Sequence, residues 1–160
     1  MRYLLLSALI ASTACLAQQH DPAMHRQHMA TQPTEQSGDH RQPVVFPEQM
    51  KQHTLASMRD HLAALQEIQA ALAAAQFDQA ADVAERRLGL SSLADHGAHE
   101  SARFMPPGMQ SAGGAMHRAA SRFSTVARDA AVSGDIGAAV AALSEVTAAC
   151  VSCHNGYRLR

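Results

Sequence analysis

Apolar residues recur at helical spacing along most of the chain beyond residue 47, and this pattern constrains the fold more than any other feature of the sequence. Between residues 48 and 75, successive apolar positions lie 3, 4, 3, 3 and 4 residues apart, so their side chains share one face of a helix. These positions are Leu55, Met58, Leu62, Leu65, Ile68 and Leu72. The pattern predicts a first amphipathic helix over roughly 48–75.

Two more helices are predicted in the middle of the chain. Asp78 is placed to cap a second helix, which continues to about Leu90 and ends before the polar stretch 91–100. The pair Pro106-Pro107 blocks a helix that arrives from before it and can begin a new one. The apolar stripe over 109–130 then predicts the third helix.

A fourth helix completes the predicted fold. Gly134 can end the third helix in a left-handed C-cap, and Asp135 can cap a fourth helix that runs from about Ile136 to the C-terminus. Strand-like alternation is lacking, and only 4% of the residues are aromatic with no Trp, which argues against an aromatic-rich β-sandwich. We therefore predict an all-α, antiparallel four-helix bundle over residues 47–160.

The N-terminal part of the chain has a different character. Residues 1–17 combine Arg2, an apolar run and small residues before a cleavage site after Ala17, as in a secretory signal peptide. Cleavage before Cys15 with lipidation is the alternative, although Ser12 stands where a lipoprotein signal usually has an aliphatic residue. Residues 18–46 are rich in Gln, His and Pro and are predicted to be a disordered arm. The mature protein is expected in the periplasm, without a membrane span.

Charge and motif content exclude several function classes. With 13 Lys and Arg against 14 Asp and Glu, the chain has no basic excess with which to neutralise a nucleic-acid backbone. Nothing in the sequence resembles a nucleophile with its base or a phosphate-binding glycine loop. We therefore predict neither a nucleic-acid partner nor an enzyme.

One motif indicates a cofactor. The segment Cys150-Val151-Ser152-Cys153-His154 is C-x-x-C-H, the attachment signature of c-type haem. On a helix both thiols lie on one face, where each can bond to a vinyl group of the haem, and His154 can turn its imidazole to the iron. A redox-active C-x-x-C is the alternative, but that motif normally opens a helix after a strand. The prediction is one covalently bound haem c per chain.

The position of this motif near the C-terminus makes the chain similar to a known family. Residues 150–158, with Tyr157 and Arg158 after the motif, and the first helix over 51–58 resemble the cytochrome c-prime family and its low-spin relatives. The resemblance covers about 47–160 and is most specific in the fourth helix. It implies that Cys150 and Cys153 carry the haem and that His154 is the proximal iron ligand.

The resemblance also implies the surroundings of the haem. Arg158 would lie beside the proximal face, and the pair Lys51-Gln52 would approach the haem propionates. Leu55 would then face the open side of the iron, giving a five-coordinate haem with an apolar distal pocket. Met58 lies one turn further on the same helix face and would instead provide a sixth, thioether ligand. The chain departs from the family in lacking a Trp in the third helix and in the long link between helices two and three.

Several histidines lie outside the motif. His96 and His99 have a spacing that could bind a metal, although their segment is typical of a solvated loop. His61 follows Met58 by three residues and is a rival for the sixth iron position. His53 and His117 are interpreted as structural or surface residues within helices.

Three functions follow from these features. The first is one-electron transfer to a redox partner protein in the periplasm, and the second is binding of nitric oxide or carbon monoxide at an open iron. The third is copper handling by soft and imidazole ligands in the arm. Those ligands are His20, Met24, His25, His28, Met29 and His40. The family resemblance further implies a homodimer.

Overall fold

Helices make up 76% of residues 38–160, the part of the chain that this computed structural model describes, and the predicted all-α class is confirmed. The predicted signal peptide, Cys15 and arm residues 18–37 lie outside the described residues. In chain order, the elements are β1 (Gln42–Val44), α1 (Glu48–Ala73), α2 (Phe77–Arg87), a 3-10 turn (Leu90–Ser92), α3 (Ala98–Ala102), α4 (Pro107–Ser133), α5 (Ile136–Gly156) and β2 (Tyr157–Leu159).

The turn between α4 and α5 follows the local signals of the sequence. Gly134 ends α4 with φ 76°, a left-handed conformation that costs glycine no steric strain. Asp135 then caps α5, because its Oδ1 accepts a hydrogen bond of 2.9 Å from the backbone N–H of Ala138. At the other end of α4, Pro106 is extended and Pro107 occupies the first helical turn, as predicted.

Other boundaries differ from the prediction. Helix α2 begins at Phe77 after Gln76, so Asp78 lies inside the first turn and makes no capping hydrogen bond. Helix α5 ends at Gly156, because the chain becomes extended at Tyr157 and enters β2. The stretch predicted as a solvated loop forms the 3-10 turn and α3, and Ser92 within it is buried.

A short parallel sheet joins the two ends of the described chain. β1 pairs with β2 in the register Gln42 with Tyr157 and Val44 with Leu159, and the amide of Arg160 donates to the carbonyl of Val44 at 3.0 Å. Val44 and Phe46 are 4% and 5% exposed. The arm predicted over 18–46 therefore extends too far, since residues 42–46 gain backbone partners and apolar burial that local sequence does not reveal.

The main core is built largely of alanine. Close packing runs from α1 to α2, from α2 to α4 and from α4 to α5, whereas α1 and α5 share few close contacts. Alanine at the contacts lets helices approach closely, and Phe123 and Ile68 fill the space between them. Leu62, which belongs to the predicted apolar stripe of α1, is 69% exposed. The face of α1 that packs into the core is therefore narrower than the apolar stripe predicted from its leucines.

Helix α5 is rich in apolar residues, and some of them are exposed. By length and composition it is the one helix among residues 38–160 that could cross a membrane, although Glu145 lies within it. Its inner face, with Ala139, Leu143 and Val146, packs into the main core. Val140 and Val151 on other sides of the helix are exposed.

Replacing Phe123 with alanine (F123A) is expected to destabilise the fold strongly. The ring is fully buried in the main core, and removing such a ring costs about 3–5 kcal/mol of unfolding free energy through lost burial and a residual cavity. Urea unfolding followed by circular dichroism measures the loss. V132A is the matched control on the same helix, because Val132 is 92% exposed and its truncation should change stability by less than about 0.5 kcal/mol. Equal midpoints for the two variants would contradict this description of the core.

Candidate functional site

A cavity of about 500 Å³ opens at one end of the helices, where α1 and α5 separate. Its walls come from the first half of α1, the first half of α4, the end of α5, β2 and the segment around α3. Four methionines and other apolar side chains line it together with a similar number of polar ones. The residues named by the sequence analysis that line it are Lys51, Leu55, Met58, His61, His96, His117, Cys153, His154, Tyr157 and Arg158. A volume of this size is typical of cofactor and small-ligand pockets.

The C-x-x-C-H motif forms the end of α5 and contributes directly to the cavity wall. Cys153 and His154 line the cavity, and Cys153 packs against the apolar cluster of Val44, Phe46 and Met109. Cys150 is one turn earlier and packs against the main core instead. Both thiols are free and half-buried. The helix thus presents the second half of the motif to the cavity and holds the first half beside it.

Burial sets the electrostatics of the two thiols. It raises the pKa of Cys150, and it raises the pKa of Cys153 with a further contribution from the neighbouring Cys150. A raised pKa leaves less thiolate at neutral pH, whereas cysteines that exchange disulfides usually have a lowered pKa. The surroundings of this pair therefore differ from those of a thioredoxin-like site.

Basic side chains gather on the cavity wall. Arg41, Lys51 and Arg158 line it, whereas no Asp or Glu among residues 38–160 does. Asp39 binds the guanidinium of Arg41 through two hydrogen bonds of 2.8 Å, which hold the pKa of that carboxyl down at about 2. Within the described residues, no carboxylate forms an ion pair with Lys51. The wall therefore suits an anionic group.

Arg158 has an unsatisfied donor on this wall. Its Nε atom is buried and lies 3.2 Å from an Asp39 carboxylate oxygen, but it makes no hydrogen bond within residues 38–160. A buried N–H without an acceptor costs free energy, so an acceptor arriving with a ligand would be stabilised there. Gln52, which the family resemblance places near the haem propionates together with Lys51, is exposed and donates to Glu48 Oε1 at 2.7 Å instead. It is not among the lining residues.

The two candidate distal residues both face the cavity. Leu55 and Met58 lie on consecutive turns of α1 and are half-buried on its wall. Three more thioethers, from Met105, Met109 and Met116, line the same space. By their positions, Leu55 and Met58 would therefore both lie beside a group bound in the cavity.

A cluster of three imidazoles on the cavity wall was missed by sequence reasoning. His61 and His117 are buried, and His96 from the segment before α3 lies between them, with ring centroids 4.6 Å from His61 and 5.7 Å from His117. His53 and His99 are exposed, as expected for surface residues. The cluster joins α1, α4 and the connecting segment, and no local spacing signals such a contact.

Burial also controls the charge of these rings. It lowers the pKa of His61 to about 4, with His96 and then His117 lowering it further. Burial likewise lowers the pKa of His96, again with a contribution from His117. His61 is therefore neutral at neutral pH and has a lone pair on one ring nitrogen.

No known protein family, curated protein or solved structure matches this chain. What the cavity binds must therefore be inferred from the motif and from the residues around it.

Proposed function

We propose that this chain is a periplasmic c-type cytochrome with one haem, and that it transfers single electrons to a redox partner protein. The observation that carries the proposal is the meeting of the C-x-x-C-H motif with a cavity of cofactor size, since Cys153 and His154 both line a space of about 500 Å³. In a redox-active disulfide motif the two thiols would need no such cavity. A c-type cytochrome needs such a cavity, because the cavity holds the haem.

The residues present fit a haem. Cys150 and Cys153 would form the thioether bonds, and His154 would be the proximal ligand. When bound, the haem supplies reversible one-electron chemistry at its iron, with a potential set by the axial ligands and by how dry the site is. The chain itself contributes the apolar and thioether side chains that keep water away, including Met109 and Met116, which are 9% and 6% exposed.

The charge of the cavity also supports this ligand. A haem carries two propionates, and the wall offers Arg41, Lys51 and Arg158 without a carboxylate from the described residues. The buried Nε of Arg158 would find its acceptor in one of them. These positive side chains near the propionates would favour binding and would also raise the reduction potential by disfavouring the more positive, oxidised iron.

The proposed architecture is an antiparallel four-helix bundle like that of the cytochrome c-prime family, with the haem at the end of its last helix. The packing sequence from α1 through α2 and α4 to α5 supports it, because four helices packed in this order can leave an opening between the first and the last. We include in this proposal export by a signal peptide over residues 1–17 and a homodimer, as the resemblance implies.

The test is the optical spectrum of the protein exported from a host that attaches haem covalently. We expect a Soret band and sharp α and β bands on reduction, and a haem that stays on the polypeptide in a denaturing gel. Absence of haem from such a preparation would refute the proposal. The same sample gives the reduction potential and the rate of electron exchange with a small soluble reductant.

Gas binding is the second candidate, and the position of Leu55 on the cavity wall favours it. A leucine cannot ligate iron, so an iron facing Leu55 would leave a coordination position open to nitric oxide or carbon monoxide. Adding carbon monoxide to the reduced protein separates the two functions. Rapid uptake with a high-spin starting spectrum would favour gas binding, and a low-spin spectrum indifferent to the gas would favour electron transfer.

Copper handling by the arm stays a prediction of the sequence. Of its ligands, His40 alone lies in the described part of the chain, where it is exposed. Equilibrium binding of copper to the full chain, compared with a variant in which the four arm histidines are changed to glutamine, would measure this property.

A further inference from the structure

The three clustered imidazoles come from three separate parts of the fold. His61 lies on α1, His117 on α4 and His96 between the 3-10 turn and α3, and all three line the cavity. Their ring centroids are 4.6 Å apart for His61 and His96, 5.7 Å for His96 and His117, and 6.2 Å for His61 and His117. Buried polar side chains normally have hydrogen-bond partners, and the partners of these rings indicate which nitrogens stay available for a ligand.

The hydrogen bonds of His117 determine which of its nitrogens is available. Its Nδ1 lies 2.7 Å from the carbonyl oxygen of Leu88 and 3.2 Å from that of Gly89. A carbonyl can only accept, so Nδ1 carries the hydrogen, and in the neutral ring Nε2 keeps its lone pair. Metal-binding histidines are typically oriented in this way, with the second nitrogen donating to a backbone carbonyl.

The other two rings face each other through nitrogen atoms. His61 Nε2 and His96 Nδ1 are 3.4 Å apart, which is long for a hydrogen bond. Two imidazole nitrogens bound to one tetrahedral ion at the usual zinc–nitrogen distance are about 3.3 Å apart. The observed pair therefore has the separation of two ligands on a shared ion.

The third ring is close to the position that such an ion requires. Three imidazoles around one tetrahedral ion place their ring centroids about 5.2 Å apart. The observed separations of 4.6, 5.7 and 6.2 Å lie on both sides of this value. As the side chains stand, no group of three or more His, Cys, Asp or Glu within residues 38–160 is positioned to hold a metal ion. Metal binding therefore requires His117 to approach His96 by about 0.5 Å and His61 by about 1 Å, and it requires the rings of His61 and His96 to separate by about 0.6 Å.

We infer that His61, His96 and His117 form a binding site for a divalent transition-metal ion, with three imidazole ligands and a fourth position facing the cavity. Neutral imidazoles without a carboxylate suit Zn²⁺, Cu²⁺ and Ni²⁺ and do not suit Mg²⁺ or Ca²⁺. The lowered pKa of His61 agrees with this arrangement, because a neutral ring needs no deprotonation before it binds. The site uses residues outside the C-x-x-C-H motif and does not rest on the proposed haem.

The experiment uses Zn²⁺ alone as the probe metal, because zinc is redox-inert and its binding is measured independently of the haem. The protein is the full mature chain as exported, treated with a chelator and dialysed, in a background where His20, His25, His28 and His40 are changed to glutamine. This background removes the arm as a competing zinc ligand. Isothermal titration is expected to show one Zn²⁺ per chain, and H61Q, H96Q and H117Q are each expected to weaken its binding about a hundredfold.

H99Q is the matched control, since His99 follows His96 by three residues but is exposed and outside the cluster. It should bind Zn²⁺ as tightly as its parent. Zinc-edge X-ray absorption on the unsubstituted cluster should show three imidazole nitrogens at about 2.0 Å, and this result does not depend on whether any variant folds.

Three results would overturn the inference. They are the absence of stoichiometric zinc in the arm-substituted protein, an equal affinity of the three cluster variants and H99Q, or a zinc spectrum without imidazole scattering. If His61 instead ligates a haem iron, H61Q would change the haem spectrum and zinc would not bind, which also contradicts the inference. Failure to attach haem at all would refute the proposed function and leave the zinc result intact.

Discussion

Replacing Cys150 and Cys153 together with serine (C150S/C153S) is expected to abolish covalent haem attachment. Serine is close to cysteine in size, although its hydroxyl is more polar than a thiol, and it cannot form the thioether bond that C-x-x-C-H provides. In a denaturing gel stained for haem peroxidase activity, the variant band should lose essentially all signal, and acidified organic solvent should extract any haem that remains. Because both thiols are half-buried and form no disulfide within residues 38–160, the helix itself should tolerate the changes.

The single variants and a control within the same helix sharpen this test. C150S and C153S each keep one thiol, so each is expected to retain haem through a single bond and to resist solvent extraction. S152A changes the exposed residue between the cysteines and should match the unsubstituted protein. Covalent haem in the double variant, or its loss in S152A, would show that attachment does not follow the motif.

Replacing Met58 with leucine (M58L) is expected to change the spin state of the iron. In an electron carrier the thioether of Met58 would occupy the sixth coordination position, so the reduced protein would be low-spin and would not bind carbon monoxide. Leucine fills nearly the same volume but has no donor atom, and such swaps cost less than about 1.5 kcal/mol of stability. The variant should therefore become high-spin, bind one carbon monoxide per haem and lose the higher reduction potential that His and Met ligation gives.

M105L is the control for this experiment, because Met105 also lines the cavity and carries a thioether. Its spectrum should be that of the unsubstituted protein. Two results would show that Met58 is not an iron ligand. If M58L stays low-spin, another side chain holds the sixth position. If the unsubstituted protein is already high-spin and takes up carbon monoxide, Leu55 faces the iron and gas binding becomes the better function.

Features that depend on neighbouring residues could be predicted from the sequence. The end of α4 at Gly134, the cap of α5 by Asp135 and the start of α4 at Pro107 each need only local backbone geometry, and each is confirmed. The motif was visible for the same reason, because its chemistry depends on a spacing within one helical turn. Asp78 failed as a cap although its type was right, because α2 begins two residues earlier than its position requires.

Contacts between distant residues could not be predicted. Gln42 reads as part of a polar arm, and its strand exists because Tyr157 pairs with it at the other end of the described chain. The burial of Val44 and Phe46 depends on the same contact. The histidine cluster combines positions 61, 96 and 117, and each of these residues alone fits a surface or structural role. One sequence by itself does not show which distant residues contact each other.

The pairing of β1 with β2 has a consequence for the order of folding. Gln42 and Tyr157 are 115 positions apart, and closing so long a loop carries an entropic cost that short-range helix contacts do not. We expect the helices to form first and the strand pair to close last. Because β2 follows directly on the end of α5 and lines the cavity, its late closure would keep Cys150, Cys153 and His154 accessible to a haem-attaching enzyme while the rest of the chain is already native. In that case, the pairing of β1 with β2 would close the site only after the proposed haem is in place.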